Sequence, residues 1–72
     1  MKNIYIKDEY IKLGQVLKLS GLVSSGVEAK EVITEGMVKV NGEICTMRGK
    51  KIRNNDRVLF NDEELVIQSH DS

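Results

Sequence analysis

The first half of the chain carries apolar side chains at the spacing of α-helices. A weakly alternating segment, residues 3–7, predicts a short strand at the start. Apolar positions then recur every three or four residues, at Tyr10, Leu13, Val16 and Leu17. This run predicts a first helix, with Asp8 as its N-cap and Gly21 at its end.

A second helix is predicted over residues 26–35. Ser25 and Glu28 match a capping box, in which the serine hydroxyl and the glutamate carboxylate each accept a bond from a free amide of the first turn. Ala29, Val32 and Ile33 form an apolar stripe behind them, and Gly36 stands where a helix favours a left-handed residue at its C-terminus. The two helices together predict a helical hairpin or a unit like a helix-turn-helix.

After Gly36 the apolar residues alternate with polar ones, which is the spacing of β-strands. Asn41-Gly42 separates two such segments, 37–40 and 43–46, and this arrangement predicts a tight hairpin. Two further strands are predicted at 57–60 and 65–68, joined by an acidic turn at 61–64.

The stretch between these hairpins, residues 47–56, is basic and predicts a loop that ends in a turn at Asn54-Asn55-Asp56. The predicted order is therefore β-α-α-β-β-β-β. This order indicates an α+β fold, with a two-helix unit packed on a small, mainly antiparallel β-sheet. With no linker or repeat in its sequence, the chain is expected to form a single domain over residues 1–72.

Composition narrows the classes of function. A chain of 72 residues has a small core and little scaffold for a catalytic cleft of its own. It contains no apolar run long enough for a membrane span and no signal-peptide pattern. One cysteine, Cys45, and one histidine, His70, exclude an internal disulfide and a multi-ligand structural zinc site within one chain. We therefore expect a cytoplasmic protein without metal or cofactor, with Cys45 as a small strand residue and His70 exposed to solvent.

Charge is balanced overall but uneven along the chain. The sequence has 11 basic and 11 acidic residues. Residues 37–58 hold six basic side chains against two acidic ones, whereas residues 59–72 hold four acidic side chains and no Lys or Arg. Such blocks make one side of a small protein electropositive, so the neutral net charge is compatible with a polyanionic partner. The neutral net charge argues against a protein that coats nucleic acid indiscriminately.

An ordered series of short motifs runs from Leu13 to Phe60. The pieces are Leu13-Gly14-Gln15-Val16-Leu17-Lys18, Ser24-Ser25-Gly26, Ala29-Lys30, Ile33, Glu35-Gly36, Val38-Lys39-Val40-Asn41-Gly42, Arg48-Gly49-Lys50-Lys51-Ile52 and Asp56-Arg57-Val58. In this order they resemble the RNA-binding domain first recognised in protein S4 of the small ribosomal subunit, also called the αL motif. The chain looks most like the small stand-alone bacterial members of the YaaA or YbcJ type.

The resemblance implies a non-catalytic protein that binds structured RNA, ribosomal or tRNA-like, across the two helices and the following loop. Ribosomes or ribosome-assembly intermediates are implied as partners. The RNA-binding candidates carried over by position are Lys18, Ser25, Lys30, Lys39, Asn41, Arg48, Lys50 and Lys51, and Arg53 joins them because it extends the basic cluster of the loop. Asn55, Val27 and Met47 depart from residues frequent in the family, and at Met47 a cation is lost.

Each candidate has a structural interpretation beside the functional one. The basic loop is either a phosphate-binding segment or a solvated surface, and Lys30 either reaches a phosphate or pairs with Glu28 or Glu31. Ser25 is primarily an N-cap, at a helix start that can also hold a phosphate. Asn41 is required by its turn whatever the function. The aromatic residues, Tyr5, Tyr10 and Phe60, are too few and too near predicted core positions for a base-stacking platform.

Three other classes of function compete with RNA binding. DNA binding is disfavoured, because Glu31, Thr34 and Glu35 occupy the outward face of the second helix and two carboxylates there would repel phosphates. A sulfur carrier would need a C-terminal Gly-Gly, and an enzyme would need a catalytic domain beside this one. A protein-interaction adaptor that uses the acidic turn at 61–64, without direct RNA binding, remains the alternative.

Overall fold

A computed structural model describes residues 2–69. In chain order the elements are β1 (Lys2–Ile6), β2 (Tyr10–Lys12), α1 (Leu13–Ser20), α2 (Gly26–Thr34), β3 (Val38–Val40), β4 (Glu43–Ile44), β5 (Lys51–Arg53), β6 (Arg57–Phe60) and β7 (Glu63–Ser69). The α+β class is confirmed, with two helices packed on a mainly antiparallel sheet. Two strands, β2 and β5, were absent from the predicted order.

The main sheet has five strands in the order β1-β7-β6-β3-β4. Strands β3, β4, β6 and β7 pair antiparallel, and β1 pairs parallel with β7, with Lys2 opposite Leu65 and Ile6 opposite Ser69. Alternate side chains along β3 and β6 are buried, for example Val38 and Val58. The sheet therefore has an inward face that joins the core and an outward face.

The first helix begins later than its apolar spacing predicted. Tyr10 belongs to β2, and α1 starts at Leu13 after an N-cap, Lys12, that makes no side-chain cap bond. The prediction of Asp8 as the N-cap was therefore wrong. Backbone carbonyls replace a side-chain cap, because the amide of Leu13 donates to Lys50 O at 2.9 Å and that of Gly14 to Arg48 O at 3.1 Å. Gly21 ends the helix in the left-handed conformation, as predicted.

The second helix forms as its caps predicted. Ser25 Oγ accepts a bond from the amide of Glu28 at 3.2 Å, and the Glu28 carboxylate accepts one from the amide of Ser24 at 2.7 Å. The reciprocal bond thus goes to the residue before the N-cap, one position earlier than in a standard capping box. At the other end Gly36 has φ = 77°, and the amides of Gly36 and Met37 donate to the last helical turn in a Schellman motif.

Tight turns join the antiparallel strands. Asn41 and Gly42 both have positive φ, which fits the predicted type I′ hairpin between β3 and β4. Asn55 is left-handed within its predicted turn. The acidic turn is shorter than predicted: Asn61 and Asp62 alone form it, whereas Glu63 and Glu64 pair within β7 opposite Phe60 and Leu59.

The core lies between the helices and the inward face of the main sheet. Its largest fully buried side chains are Leu13, Leu17, Ile33, Ile52, Leu65, Ile67, Val16, Val38 and Val58. Cys45 is half-buried and packs against this core, but β4 ends at Ile44, so the prediction of Cys45 as a strand residue was wrong. Phe60 is buried, but Tyr5 is 60% exposed, which corrects its expected place near the core. His70 lies outside the described residues. In the part of the chain from 2 to 69, no helix has the length and apolar character of a membrane span.

Candidate nucleic-acid interface

A groove of 370 Å³ lies between α1, the start of α2 and the segment that follows β4. We name it the basic groove, because four of its lining residues are cations and none is acidic. The lining residues are Lys12, Gly14, Gln15, Lys18, Gly26, Ala29, Lys30, Arg48 and Gly49. In a protein of zero formal net charge, this is a local concentration of positive charge.

The sequence assembles this groove from three segments that are distant in the chain. Gly14 and Lys18, four residues apart, lie one above the other on α1. The capping bond from the Gly14 amide to Arg48 O holds Arg48 at the start of that helix. A Cβ atom at Gly14 would lie 3.7 Å from this carbonyl oxygen, an ordinary van der Waals distance, so the two segments are in contact without requiring glycine.

The third wall is the first turn of α2. Gly26, its first residue, lines the groove together with Ala29 and Lys30 one turn further on. Ala29 is buried against the core, so the neighbouring Lys30 stands at the border between core and solvent. Glu28 does not line the groove, and hydrogen bonds from the amide and hydroxyl of Ser24 lower the pKa of its carboxyl.

The cations of the basic groove have no carboxylate partner among residues 2–69. The ion pair found within 4.0 Å in that part of the chain joins Arg53 and Glu9, at 3.6 Å. The alternative in which Lys30 pairs with Glu28 or Glu31 is therefore not what the structure shows. Unneutralised, exposed lysine and arginine side chains around a concave surface are suited to bind phosphate groups.

The predicted candidates do not form one cluster. Lys18, Lys30 and Arg48 line the basic groove, and Ser25 caps the helix that forms its third wall. Lys39 lies apart from them, exposed on the strand that pairs with β4 and β6, where its neighbours Val38 and Val40 point inward. It therefore projects from the outward face of the main sheet.

Asn41 and Lys50 line a second, separate groove of 440 Å³ beside the β3–β4 hairpin. The Asn41 side chain is engaged within the protein: its Nδ2 donates to Asp56 Oδ1 at 3.1 Å, and its Oδ1 accepts from the amide of Arg57 at 2.9 Å. The structural requirement for this residue at the turn is therefore met by named bonds. Its contact with RNA stays a prediction.

Lys51 and Arg53 lie in strand β5, and the prediction that they belong to a loop was wrong. This strand pairs antiparallel with β2, so Arg53 is opposite Tyr10 and Lys51 is opposite Lys12. Ile52 between them is fully buried. The four polar or aromatic side chains therefore share the outer side of a two-stranded ribbon, and we name this surface the ribbon face.

Among the lining residues with charged or polar side chains, Lys12 and Gln15 were missed from the sequence. Lys12 was placed inside the predicted first helix because the apolar spacing continued back to Tyr10. The pairing that shows Lys12 to be a strand residue involves β5, and no local signal marks that strand. Gln15 belonged to a recognised motif but offers no charge that would single it out.

Comparison with known proteins places this geometry in a family. The sequence model of the S4 domain family matches residues 4–68. The chain belongs to the S4 domain family. A solved structure of similar fold is that of YbcJ from E. coli, described as revealing an αL motif involved in RNA binding. This S4 domain matches it with a TM-score of 0.73 and 33% sequence identity, over 94% of this chain and 87% of that one.

Curated relatives of this S4 domain include small and large proteins. It is 41% identical over 54 residues to the putative RNA-binding protein YbcJ of Escherichia coli (strain K12), covering 75% of this chain and 77% of YbcJ. It is 45% identical over 49 residues to the probable ribosome maturation protein RlbA of Bacillus subtilis (strain 168), covering 68% and 69%. It is 40% identical over 58 residues to the tyrosine–tRNA ligase of Nitrosomonas europaea, covering 81% of this chain but only 14% of the ligase.

Proposed function

We propose that this protein is a non-catalytic binder of structured RNA, and that its basic groove holds the phosphate backbone. The observation that carries the proposal is the set of four cations in the groove, which no carboxylate of residues 2–69 neutralises. Membership of the S4 domain family, and relatives named as RNA-binding, support the same conclusion. No cofactor or catalytic group enters the proposed mechanism.

The groove suits a folded RNA better than an extended single strand. Its cations are attached to three segments that pack together, two of them joined by the bond from the Gly14 amide to Arg48 O, so the backbone positions of the cations are set before RNA binds. An A-form duplex presents its backbone at equally fixed spacing, and proteins recognise it by shape and by contacts to phosphates and 2′-hydroxyls. We infer that Lys12, Lys18, Lys30 and Arg48 each bind a phosphate, and that Gln15 hydrogen-bonds within the groove.

The target that we propose is ribosomal RNA or a tRNA-like fold. Support comes from relatives of two kinds, one named for ribosome maturation and one a tRNA ligase that matches within a small part of its length. Such a target would place the protein in the cytoplasm, with ribosomes or their assembly intermediates as partners. The candidates that do not line the basic groove are Ser25, Lys39, Asn41, Lys50, Lys51 and Arg53. We expect Lys39, on the outward face of the main sheet, to lie outside the binding surface.

The test is a fluorescence-anisotropy titration of an RNA hairpin and of a DNA duplex with the same number of base pairs, at two salt concentrations. We expect the hairpin to bind more tightly. Lys30→Ala should weaken hairpin binding about fivefold, which corresponds to about 1 kcal/mol, a typical value for one exposed charge contact. The slope of log affinity against log salt concentration should fall by about 0.7–0.9, the contribution of one phosphate contact.

Lys39→Ala is the matched control. It removes the same charge from an exposed lysine, but on the outward face of the main sheet rather than in the groove. We expect it to retain the affinity and salt slope of the wild type. Equal losses in Lys30→Ala and Lys39→Ala would show a diffuse electrostatic attraction and contradict the groove as the binding site. Absence of saturable hairpin binding at low salt would refute RNA binding itself.

A further inference from the structure

The ribbon face combines one aromatic ring with three cations. Tyr10, Lys12, Lys51 and Arg53 occupy alternate positions of β2 and β5, on the side opposite to the buried Ile52. Lys51 Nζ lies 4.9 Å and Arg53 Cζ lies 5.7 Å from the centroid of the Tyr10 ring. Such cation–π contacts favour this position of the ring.

The Tyr10 ring borders open surface rather than core. It is half-buried, and it lines two shallow grooves of 470 and 380 Å³, both of which also contain Ile11 and Gln15. Gln15 is at the same time a lining residue of the basic groove. The larger shallow groove shares Lys18 with the basic groove, and the smaller shares Lys12. The ring therefore stands at the edge of a continuous surface that begins in the basic groove.

We propose that the ribbon face binds an unpaired nucleotide that flanks the duplex held in the basic groove, with its base stacked on Tyr10. This inference rests on the proposed function, and it names the class of RNA: a duplex with an adjoining single-stranded nucleotide. Bases within a duplex are stacked on each other and offer no free face, so only an unpaired base can use the ring. Because Arg53 lies over the ring and pairs with Glu9, the base uses the side of the ring that lines the shallow grooves.

The neighbouring charges orient the nucleotide. Asp8 borders both shallow grooves on one side of Tyr10, and Glu9 pairs with Arg53 at 3.6 Å. These carboxylates disfavour a phosphate at that end of the ribbon. Lys12 and Lys51 lie opposite each other at the other end, next to the basic groove. The phosphate that links the unpaired nucleotide to the duplex therefore binds this lysine pair, and it is the same phosphate that Lys12 binds at the end of the basic groove.

The experiment compares three RNAs that share one duplex: a blunt form, a form with a single-stranded extension that carries 2-aminopurine next to the duplex, and a form whose extension is abasic. The abasic extension supplies the same phosphates without a base. We expect wild-type protein to bind the 2-aminopurine form about tenfold more tightly than the abasic form, in the range that stacking of one base provides. Binding should also quench the 2-aminopurine fluorescence.

The variants separate stacking from folding. Tyr10→Leu should abolish the tenfold preference and the quenching while it retains the affinity for the blunt duplex, and Tyr10→Phe should keep both. Tyr5→Leu is the matched control, because Tyr5 is an exposed tyrosine of the main sheet that lines neither the basic groove nor the two shallow grooves. Far-UV circular dichroism of each variant reports its fold.

Each remaining outcome is decisive. If wild-type protein binds the 2-aminopurine and abasic forms equally, without quenching, the stacking inference is wrong while the basic groove stands. If Tyr10→Leu weakens binding of all three RNAs to the same extent, Tyr10 has only a structural role and the inference is again overturned. If wild-type protein binds none of the three, the proposed function itself has failed.

Discussion

Asn41 joins the tip of the β3–β4 hairpin to the turn that precedes β6. Its backbone amide donates to Arg57 O at 2.8 Å, and its side chain bonds to Asp56 and to the amide of Arg57 at 3.1 and 2.9 Å. Its φ of 52° lies in the left-handed region. Two substitutions separate these features, because Asn41→Gly removes only the two side-chain bonds, whereas Asn41→Ala also places an alanine in a left-handed conformation.

The magnitudes follow from these contacts. Two exposed hydrogen bonds contribute about 1–2 kcal/mol together, so Asn41→Gly should lower the free energy of unfolding by that amount. The left-handed conformation costs Asn41→Ala about 1 kcal/mol more. A domain of this size has a total stability of about 4–11 kcal/mol. With an m-value near 1 kcal/mol/M, the urea midpoint should fall by about 1–2 M for the glycine variant and about 2–3 M for the alanine variant.

The assay is urea unfolding followed by far-UV circular dichroism, with Asn55→Gly as the control. Asn55 has φ = 71° and is likewise an asparagine in a left-handed turn, but none of the side-chain bonds found among residues 2–69 belongs to it. We expect Asn55→Gly to stay within about 0.5 kcal/mol of the wild type. Equal midpoints for Asn41→Gly and Asn55→Gly would refute the reasoning.

RNA affinity of the same variants decides the second question about Asn41. If the residue acts only through the fold, folded Asn41→Gly binds the hairpin within twofold of wild type. A loss as large as that of Lys30→Ala would instead show a direct contact with RNA.

Two further predictions concern the helices. Gly14→Ala should raise Tm by up to about 4–8 °C, because alanine favours a helix over glycine by up to about 1 kcal/mol. The added Cβ would make ordinary contacts with Arg48, at 3.7 and 3.8 Å. A lower Tm in differential scanning calorimetry would contradict this prediction. Hydrogen bonds from Ser24 hold the pKa of Glu28 below its usual 4.5. The Glu28 carboxylate therefore stabilises the fold above pH 4.5, and this contribution is lost as the pH falls through the lowered pKa. Urea midpoints at pH 7 and pH 3 should therefore differ less for Glu28→Gln than for wild type, and equal differences would exclude the effect.

Elements with local signals were predictable from the sequence. The second helix was placed within one residue because Ser25 and Gly36 mark its two ends by their own chemistry. The β3–β4 hairpin was found because Asn41-Gly42 has a turn type of its own. Three residues of the basic groove, Lys18, Lys30 and Arg48, were named as candidates because the family motifs include them.

Features that depend on distant partners could not be predicted. The start of α1 is set by carbonyl groups of Arg48 and Lys50, which no pattern near Leu13 reveals. Strand β5 contains a single apolar residue, Ile52, too little alternation to distinguish a strand from a loop. Its pairing with β2 forms the ribbon face. The contacts of Tyr10 with Lys51 and Arg53 therefore depend on the tertiary structure and could not be read from neighbouring residues.

The parallel pairing of β1 with β7 has a consequence for synthesis of the protein. β7 lies between β1 and β6 in the main sheet, although it is the last strand of the described chain. While the ribosome is still translating β7, the helical pair and the β3–β4 hairpin can form from local contacts, but β1 has no backbone partner. Closure of the sheet therefore waits until residues up to Ser69 have emerged, and the nascent chain carries an open strand edge until that moment.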